Sequence, residues 1–396
     1  MNILILPSWY PSEESDLTGS FFREQAMALQ KRGHNVYVLN GTLTSYHDAF
    51  CSKCQKITIQ IDSGIVVLRE LIPSLGYSHN VKLCLTVYRR RIKQLLRRLQ
   101  TEYPEVTIDI IHAHSCYPAG AIACELGNEM HIPVVITEHR STYIKNPILH
   151  DHRILLKKCI EGCAHFLCVS EGLKKNIKSN VHPDNDIDVL PNIVSDRFEP
   201  AKEKRLEDDT FQFVSVGGLI PRKRHLQLIK CFQRAFFTKK KVKLVIAGEG
   251  PEHGELEKYI ISHQLNDQVR LIGQISREQV VKVMQNSDAF VLSSAFETFG
   301  VVYVEALACG LPLIGTRNGG ANDIINETNG ILVDVDDDDQ LTWALLNMYY
   351  KSKSYDSRAI AASARNLYSE DTIINRLQTI YSEAIEAYKS GTNVDN

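Results

Sequence analysis

Two glutamates eight positions apart, Glu297 and Glu305, stand in one short stretch, DAFVLSSAFETFGVVYVEALACGLPLIGT, residues 288–316. Glu305 lies inside an apolar run, between Val304 and Ala306, where a carboxylate is costly to bury without a partner. The plain reading sets it on an exposed helix stripe; the chemical reading gives it a ligand. Glu297 belongs to the small, polar, glycine-ended turn 293–300. The backbone around Phe299, Gly300 and Val301 then opens a helix, and free N–H groups at a helix start favour an anion. Carboxylate, anion site, carboxylate is an order that suits a ligand with hydroxyls at both ends and a diphosphate between them, as in a nucleotide sugar.

A second turn repeats the theme with cations. Residues 211–216 read as a strand, Gly217-Gly218-Leu-Ile-Pro-Arg-Lys-Arg224 as a glycine-led basic turn, and 225–237 as a helix. Arg222, Lys223 and Arg224 thus sit where strand, turn and helix start make an anion site. In the N-terminal half, Gly19 closes a polar loop that holds Trp9 and Tyr10 and precedes a helix, 22–31. His112 and His114 alternate with Ala113 on a strand and so share a face. His139 ends another strand, 134–139, at the edge where open parallel sheets hold ligands; a lone histidine there is more often structural.

The elements that must position these residues follow from pattern. The stretch 288–316 reads as strand, turn, buried helix 301–308, turn, strand, a crossover unit of a parallel sheet packed on both faces. Gly310-Leu311-Pro312 ends its helix. The first half opens with a strand, loop, helix and strand, but lacks G-x-G-x-x-G, so dinucleotide binding is not indicated. Residues 56–71 read as a hairpin turning at Asp62-Ser63-Gly64. The expected organisation is α/β with two Rossmann-like domains: 1–190, a linker at 191–209 with two prolines and the charged run 202–209, a second domain at 210–370, and a final helix and tail at 371–396.

The whole string S-x-x-E-T-F-G-x4-E-A-x-A-x-G-x-P, residues 294–312, followed by Gly319-Gly320, resembles the donor signature of glycosyltransferase family 4, and the likeness runs over nearly the whole chain. It implies the GT-B fold, two Rossmann-like domains with parallel sheets facing across a cleft, acceptor in the first and UDP- or GDP-sugar in the second. It implies that Glu305 meets the ribose, Glu297 the transferred sugar, and Lys223 the diphosphate. It also implies donor-binding backbone at Phe299, Gly300 and Val301, a donor-sugar contact at His139, and a loop at Gly19 over the phosphates. The family's frequent arginine near Lys223 is replaced by Gly218, and either Arg222 or Arg224 is left to stand in for it. The reaction would retain anomeric configuration. No cofactor is implied, and with no Asp-x-Asp in a motif setting no obligatory metal. The final helix would cross back to the first domain. Members include many enzymes of polysaccharide, lipopolysaccharide and capsule assembly, so the acceptor would be a saccharide, free or lipid-linked.

Composition narrows the rest. The 396 residues carry a net charge of −2, which gives no general affinity for nucleic acid. No apolar run is long enough to span a membrane and the N-terminus lacks a basic leader, so a cytoplasmic protein with reduced thiols is expected. Ten cysteines include a lone Cys51-x2-Cys54 and a loose set, Cys159, Cys163, His165 and Cys168, whose spacing fits no usual zinc finger. The acidic run 336–339 reads as the cap of a following helix rather than a cation site. Helix 81–100 carries seven basic residues and no acid. It reads as a solvated face or as a patch that meets the anionic inner face of the membrane. Two rivals to the transferase reading are a GT-B enzyme of other chemistry, epimerase-like, and a non-catalytic sugar-nucleotide binder.

Overall fold

The computed structural model describes residues 1–12, 19–44, 57–73, 80–144, 147–201 and 210–392. The chain divides into two compact units, 1–192 with 373–396, and 193–372.

The first unit is built on strands β1 (Asn2–Pro7), β2 (Asn35–Thr44), β3 (Thr58–Asp62), β4 (Ile65–Pro73), β5 (Ile110–His114), β6 (Val134–Glu138), β7 (His165–Cys168) and β8 (Asp188–Val189). Their order is β3-β4-β2-β1-β5-β6-β7-β8. All neighbours run parallel except the β3–β4 hairpin, which turns at Asp62-Ser63-Gly64 as the pattern suggested. β1, β5 and β6 are buried along almost their whole length, as expected of strands covered on both faces. The sheet order reverses between β1 and β5, whose C-terminal ends meet at Pro7 and His114. That reversal is where an open parallel sheet leaves a crevice. The last helix, Glu370–Thr392, contributes Tyr381, whose hydroxyl lies 2.6 Å from His112 Nδ1 within this unit.

The second unit holds β9 (Phe211–Val216), β10 (Val242–Ala247), β11 (Val269–Leu271), β12 (Ala289–Leu292), β13 (Leu313–Thr316) and β14 (Gly330–Val333) in the order β11-β10-β9-β12-β13-β14, all parallel. Its core joins Phe213, Phe232, Phe236, Leu244, Val291 and Leu345. Here the order reverses between β9 and β12. The basic turn follows β9 and the Glu297 turn follows β12, so the topology brings them to one crevice. The helix Val301–Ala308 has the bounds read from sequence.

Residues 193–201, read as part of a linker, belong to the second unit: Val194 bridges Ser369, and Ile193 and Phe198 are buried. The charged run 202–209, Cys51-x2-Cys54 and the tail 393–396 lie outside the described residues. Among the described cysteines all thiols are free, and no group of three His, Cys, Asp or Glu residues is arranged to hold a metal. No described helix is long and apolar enough to cross a membrane.

The basic helix extends over Val81–Glu102 and its charge is largely answered by neighbours. Arg91 pairs with the buried Glu70 at 2.8 Å, Lys93 with Glu129 at 2.6 Å, Arg98 with Glu102 at 2.5 Å, and Arg89 with Glu125. Four of the seven cations in this one-signed stretch are thus paired, three with acids from other elements and Arg98 with Glu102 in the helix's own last turn. Lys82, Arg90 and Arg97 are exposed and have no acidic partner among the described residues.

Candidate active site

Three loops at the carboxyl ends of β9, β12 and β13 are stitched together. The Ser293 hydroxyl donates to the carbonyls of Lys223 and Arg224, at 3.2 and 3.0 Å, and the Ala295 N–H donates to the Arg222 carbonyl at 2.8 Å. Glu297 N–H donates to the Asn318 carbonyl, and Gly320 N–H donates back to the Glu297 carbonyl, both at 2.9 Å. A side chain at Gly320 would sit 2.4 Å from the Phe299 carbonyl, so only glycine permits this approach. Asn318 locks the third loop, donating to the Tyr303 hydroxyl and accepting from Ala321 N–H.

This scaffold sets Lys223 Nζ 2.5 Å from Glu297 Oε1, with Arg222 3.5 Å from Oε2. Both members of the shorter pair are buried. Burial pushes the Glu297 carboxyl up, but the charges of Lys223 and then Arg222, with the Lys223 hydrogen bond, outweigh it and hold the group below the ordinary carboxylate range. Gly300, with φ 84°, is the left-handed residue that starts helix Val301–Ala308, and Phe299 is buried beside it. Two cations, one carboxylate and a helix start are thus collected at one point.

The two arginines separate. Arg222 joins Lys223 on Glu297 and lies over the Phe296 ring. Arg224, itself in the left-handed region at φ 57°, turns to Asp336 on the other side of the turn. Gly218 is exposed, and its carbonyl accepts from Ile220 N–H at 2.9 Å. His225, directly after the turn, is fully buried; burial, then the Lys223 charge, push it down to about 4, so it is neutral at pH 7.

Glu305 is not on an exposed stripe. It is 1% exposed and its Oε1 lies 2.6 Å from a guanidinium nitrogen of Arg277. Sequence reading missed Arg277, which stands 28 positions earlier. The signal was the Ser276-x-x-Gln279 capping pattern, which puts Arg277 in the first turn of a helix, where a cation is out of place.

His139 and Gly19 lie in the first unit. Gly19, at φ 77°, caps helix Ser20–Lys31, and Trp9 closes on it so tightly that a side chain there would meet the indole at 2.8 Å. His139 Nε2 lies 3.2 Å from His114 Nδ1, and both rings pack on Phe22. His112 completes the row, held by Thr137 at 2.8 Å and by Tyr381. Beneath them the buried Glu138 carboxylate accepts from the backbone N–H groups of Cys116, His139 and Arg140 at 2.7–2.8 Å. Burial drives His112 down to about 3 and His114 and His139 well below the ordinary imidazole value, so all three are neutral at pH 7.

A pH dependence follows. These histidines titrate lower in the folded than in the unfolded chain, so between pH 6.5 and their folded values the unfolded chain binds more protons. Stability is full above about pH 6.5 and falls as the pH drops, by up to about 1.4 kcal/mol per pH unit for each group. Urea unfolding at pH 7.5 and 5.5 is expected to show a lower midpoint at pH 5.5; equal midpoints would contradict neutral burial of this row.

Comparison with known proteins fits this arrangement. The pattern of Glycosyltransferase Family 4 matches residues 18–198, and that of Glycosyl transferases group 1 matches 196–365. The chain is 27% identical over 287 residues to the phosphatidylinositol N-acetylglucosaminyltransferase GPI3 subunit of Saccharomyces cerevisiae, which spans 69% of this chain and 63% of that one. The chain thus matches less than two thirds of that relative's length. In fold it is similar to sucrose-phosphate synthase from Thermosynechococcus elongatus, with TM-score 0.79 and 17% identity, over 98% of this chain and 100% of that one. It is also similar to HepE of Anabaena in complex with UDP and glucose, with TM-score 0.70 and 17% identity, over 96% and 99%. With both sheets, both crossover crevices and the glutamate signature in place, the chain belongs to glycosyltransferase family 4 and has the GT-B fold.

Proposed function

We propose that the chain moves a hexose-type sugar from a UDP- or GDP-sugar to a hydroxyl of a saccharide acceptor, free or lipid-linked, with retention at the anomeric carbon. The observation that carries this reading is the Lys223–Glu297 pair with Arg222 beside it, at the crevice of the second unit. As the bond between the anomeric carbon and the β-phosphate oxygen breaks, negative charge grows on the departing diphosphate. Lys223, Arg222 and the N–H groups that follow Phe299 would meet it in place, without reorganisation at the moment of reaction. The acceptor oxygen bonds to the anomeric carbon from the face the nucleotide leaves, and its proton passes to a phosphate oxygen. Glu297, while neutralising Lys223, would take hydroxyls of the transferred sugar, and Glu305 those of the ribose. His139, uncharged, would give a neutral hydrogen bond to the donor sugar. Arg222 rather than Arg224 is the arginine assigned to the diphosphate, since Asp336 holds Arg224. These cations would do the work that a divalent ion does elsewhere.

UDP is bound in the HepE structure, and the GPI3 subunit is named for transfer of N-acetylglucosamine; both motivate the donor class. A cytoplasmic protein at the inner membrane face belongs to the same reading, resting on Lys82, Arg90 and Arg97. The test is a panel of UDP- and GDP-sugars with saccharide and lipid-linked acceptors in EDTA, following nucleotide release and the anomeric proton of the product. Release with one donor and a retained anomer is expected. An inverted anomer, or activity seen only after Mg²⁺ or Mn²⁺ is restored, would contradict the mechanism.

A further inference from the structure

Arg277 sits where helix electrostatics do not favour it. It is the first residue of helix Arg277–Gln285, after the cap Ser276, and the start of a helix carries partial positive charge. The chain nevertheless fixes it there from three sides. The capping box closes between Ser276 and Gln279, with Ser276 N–H donating to Gln279 Oε1 at 2.8 Å. Arg197 grips the next residue, Glu278, at 2.9 Å. The buried ring of Phe198 lies under the guanidinium, 4.8 Å from its carbon. The result is a cation, 13% exposed, delivered 2.6 Å from the Glu305 carboxylate. Residues 195–198, which the sequence suggested as linker, form one side of this clamp.

We infer that Arg277 is a positioning residue for nucleoside recognition, holding Glu305 ionised and oriented to accept the ribose hydroxyls. The inference rests on the donor reading of the second unit and extends it to a residue outside the glutamate signature. A buried carboxylate stays charged only with a compensating partner. A carboxylate that must accept two vicinal hydroxyls also needs its plane fixed, which a guanidinium on one oxygen does and an ammonium does less well. Arg277 thus acts on ribose through Glu305, and the stacked ring keeps the guanidinium from following the ligand or the solvent.

The ligand itself supplies the test. Affinities of the full chain for UDP and 2′-deoxy-UDP, and for GDP and 2′-deoxy-GDP, are measured by calorimetry for wild type, R277Q and F198L. Wild type is expected to prefer the ribonucleotide by about tenfold or more, the range of a charge-assisted hydrogen bond. R277Q should lose most of that preference while its affinity for the deoxynucleotide stays close to wild type. F198L, which keeps the charge but frees it, should fall between, and it carries the test if R277Q does not fold. A merely structural ion pair would weaken both nucleotides equally. Wild-type preference in folded R277Q and F198L, or equal loss for both ligands, would overturn the inference and leave the donor reading standing. Absence of UDP and GDP binding by wild type would overturn both.

Discussion

Replacing Lys223 by Met is expected to lower turnover by about 10²–10³-fold, the cost of removing one preorganised charge from a departing anion. Lys223 is buried, is held by its turn and by Ser293, and is 2.5 Å from Glu297, so its ammonium is fixed before any ligand arrives. The effect should fall on kcat more than on KM, since charge on the diphosphate grows as the sugar departs. R222Q should cost less, because Arg222 is more exposed and stands 3.5 Å from the same carboxylate. Steady-state rates with the best donor of the panel check both. Turnover of K223M within a few-fold of wild type would remove Lys223 from the mechanism.

The second large effect is on stability. Changing Glu297 alone to Met leaves Lys223 buried without its partner and is expected to destabilise the second unit by about 3 kcal/mol or more. Changing both residues to Met replaces the pair by apolar groups of similar volume. That double variant should recover to within about 1–2 kcal/mol of wild type, because the desolvation of both charges is removed together. It should nevertheless be inactive. Stability therefore returns in K223M/E297M while activity does not, and urea unfolding beside an activity assay reads both. A double variant no more stable than E297M would mean that the pair is not the balanced buried contact described here.

What the sequence made legible was whatever lies close together in it. Glu297, Gly300, the helix 301–308 and Glu305 are one continuous stretch, so capping, burial and spacing could be read together. Lys223 was legible through its glycine-led turn, and the topological reversal at β9 and β12 explains why it meets Glu297 from 74 positions away. That Arg222 stands beside Lys223 on Glu297 while Arg224 turns away was not legible, because Arg224 is held by Asp336, 112 positions later. Nor was the partner of Glu305, since Arg277 comes from a separate helix. The basic helix shows the same limit from the other side. Its seven cations read as a patch because Glu70, Glu125 and Glu129 come from a strand and another helix. Likewise His112 and His114 could be placed on one face of a strand, but Tyr381, which holds His112, comes from 269 positions later.

In the proposed reaction the crevice of the second unit, around Lys223, Arg222 and Glu297, holds the nucleoside diphosphate without a metal. This is tested most directly by titrating UDP and GDP into wild type, R222Q and K223M in EDTA by calorimetry. Saturable binding of one nucleotide by wild type is expected, with binding weakened by about tenfold in R222Q and a larger loss in K223M, in proportion to burial and distance from Glu297. Equal affinity of all three folded proteins, or binding that requires added Mg²⁺, would contradict it.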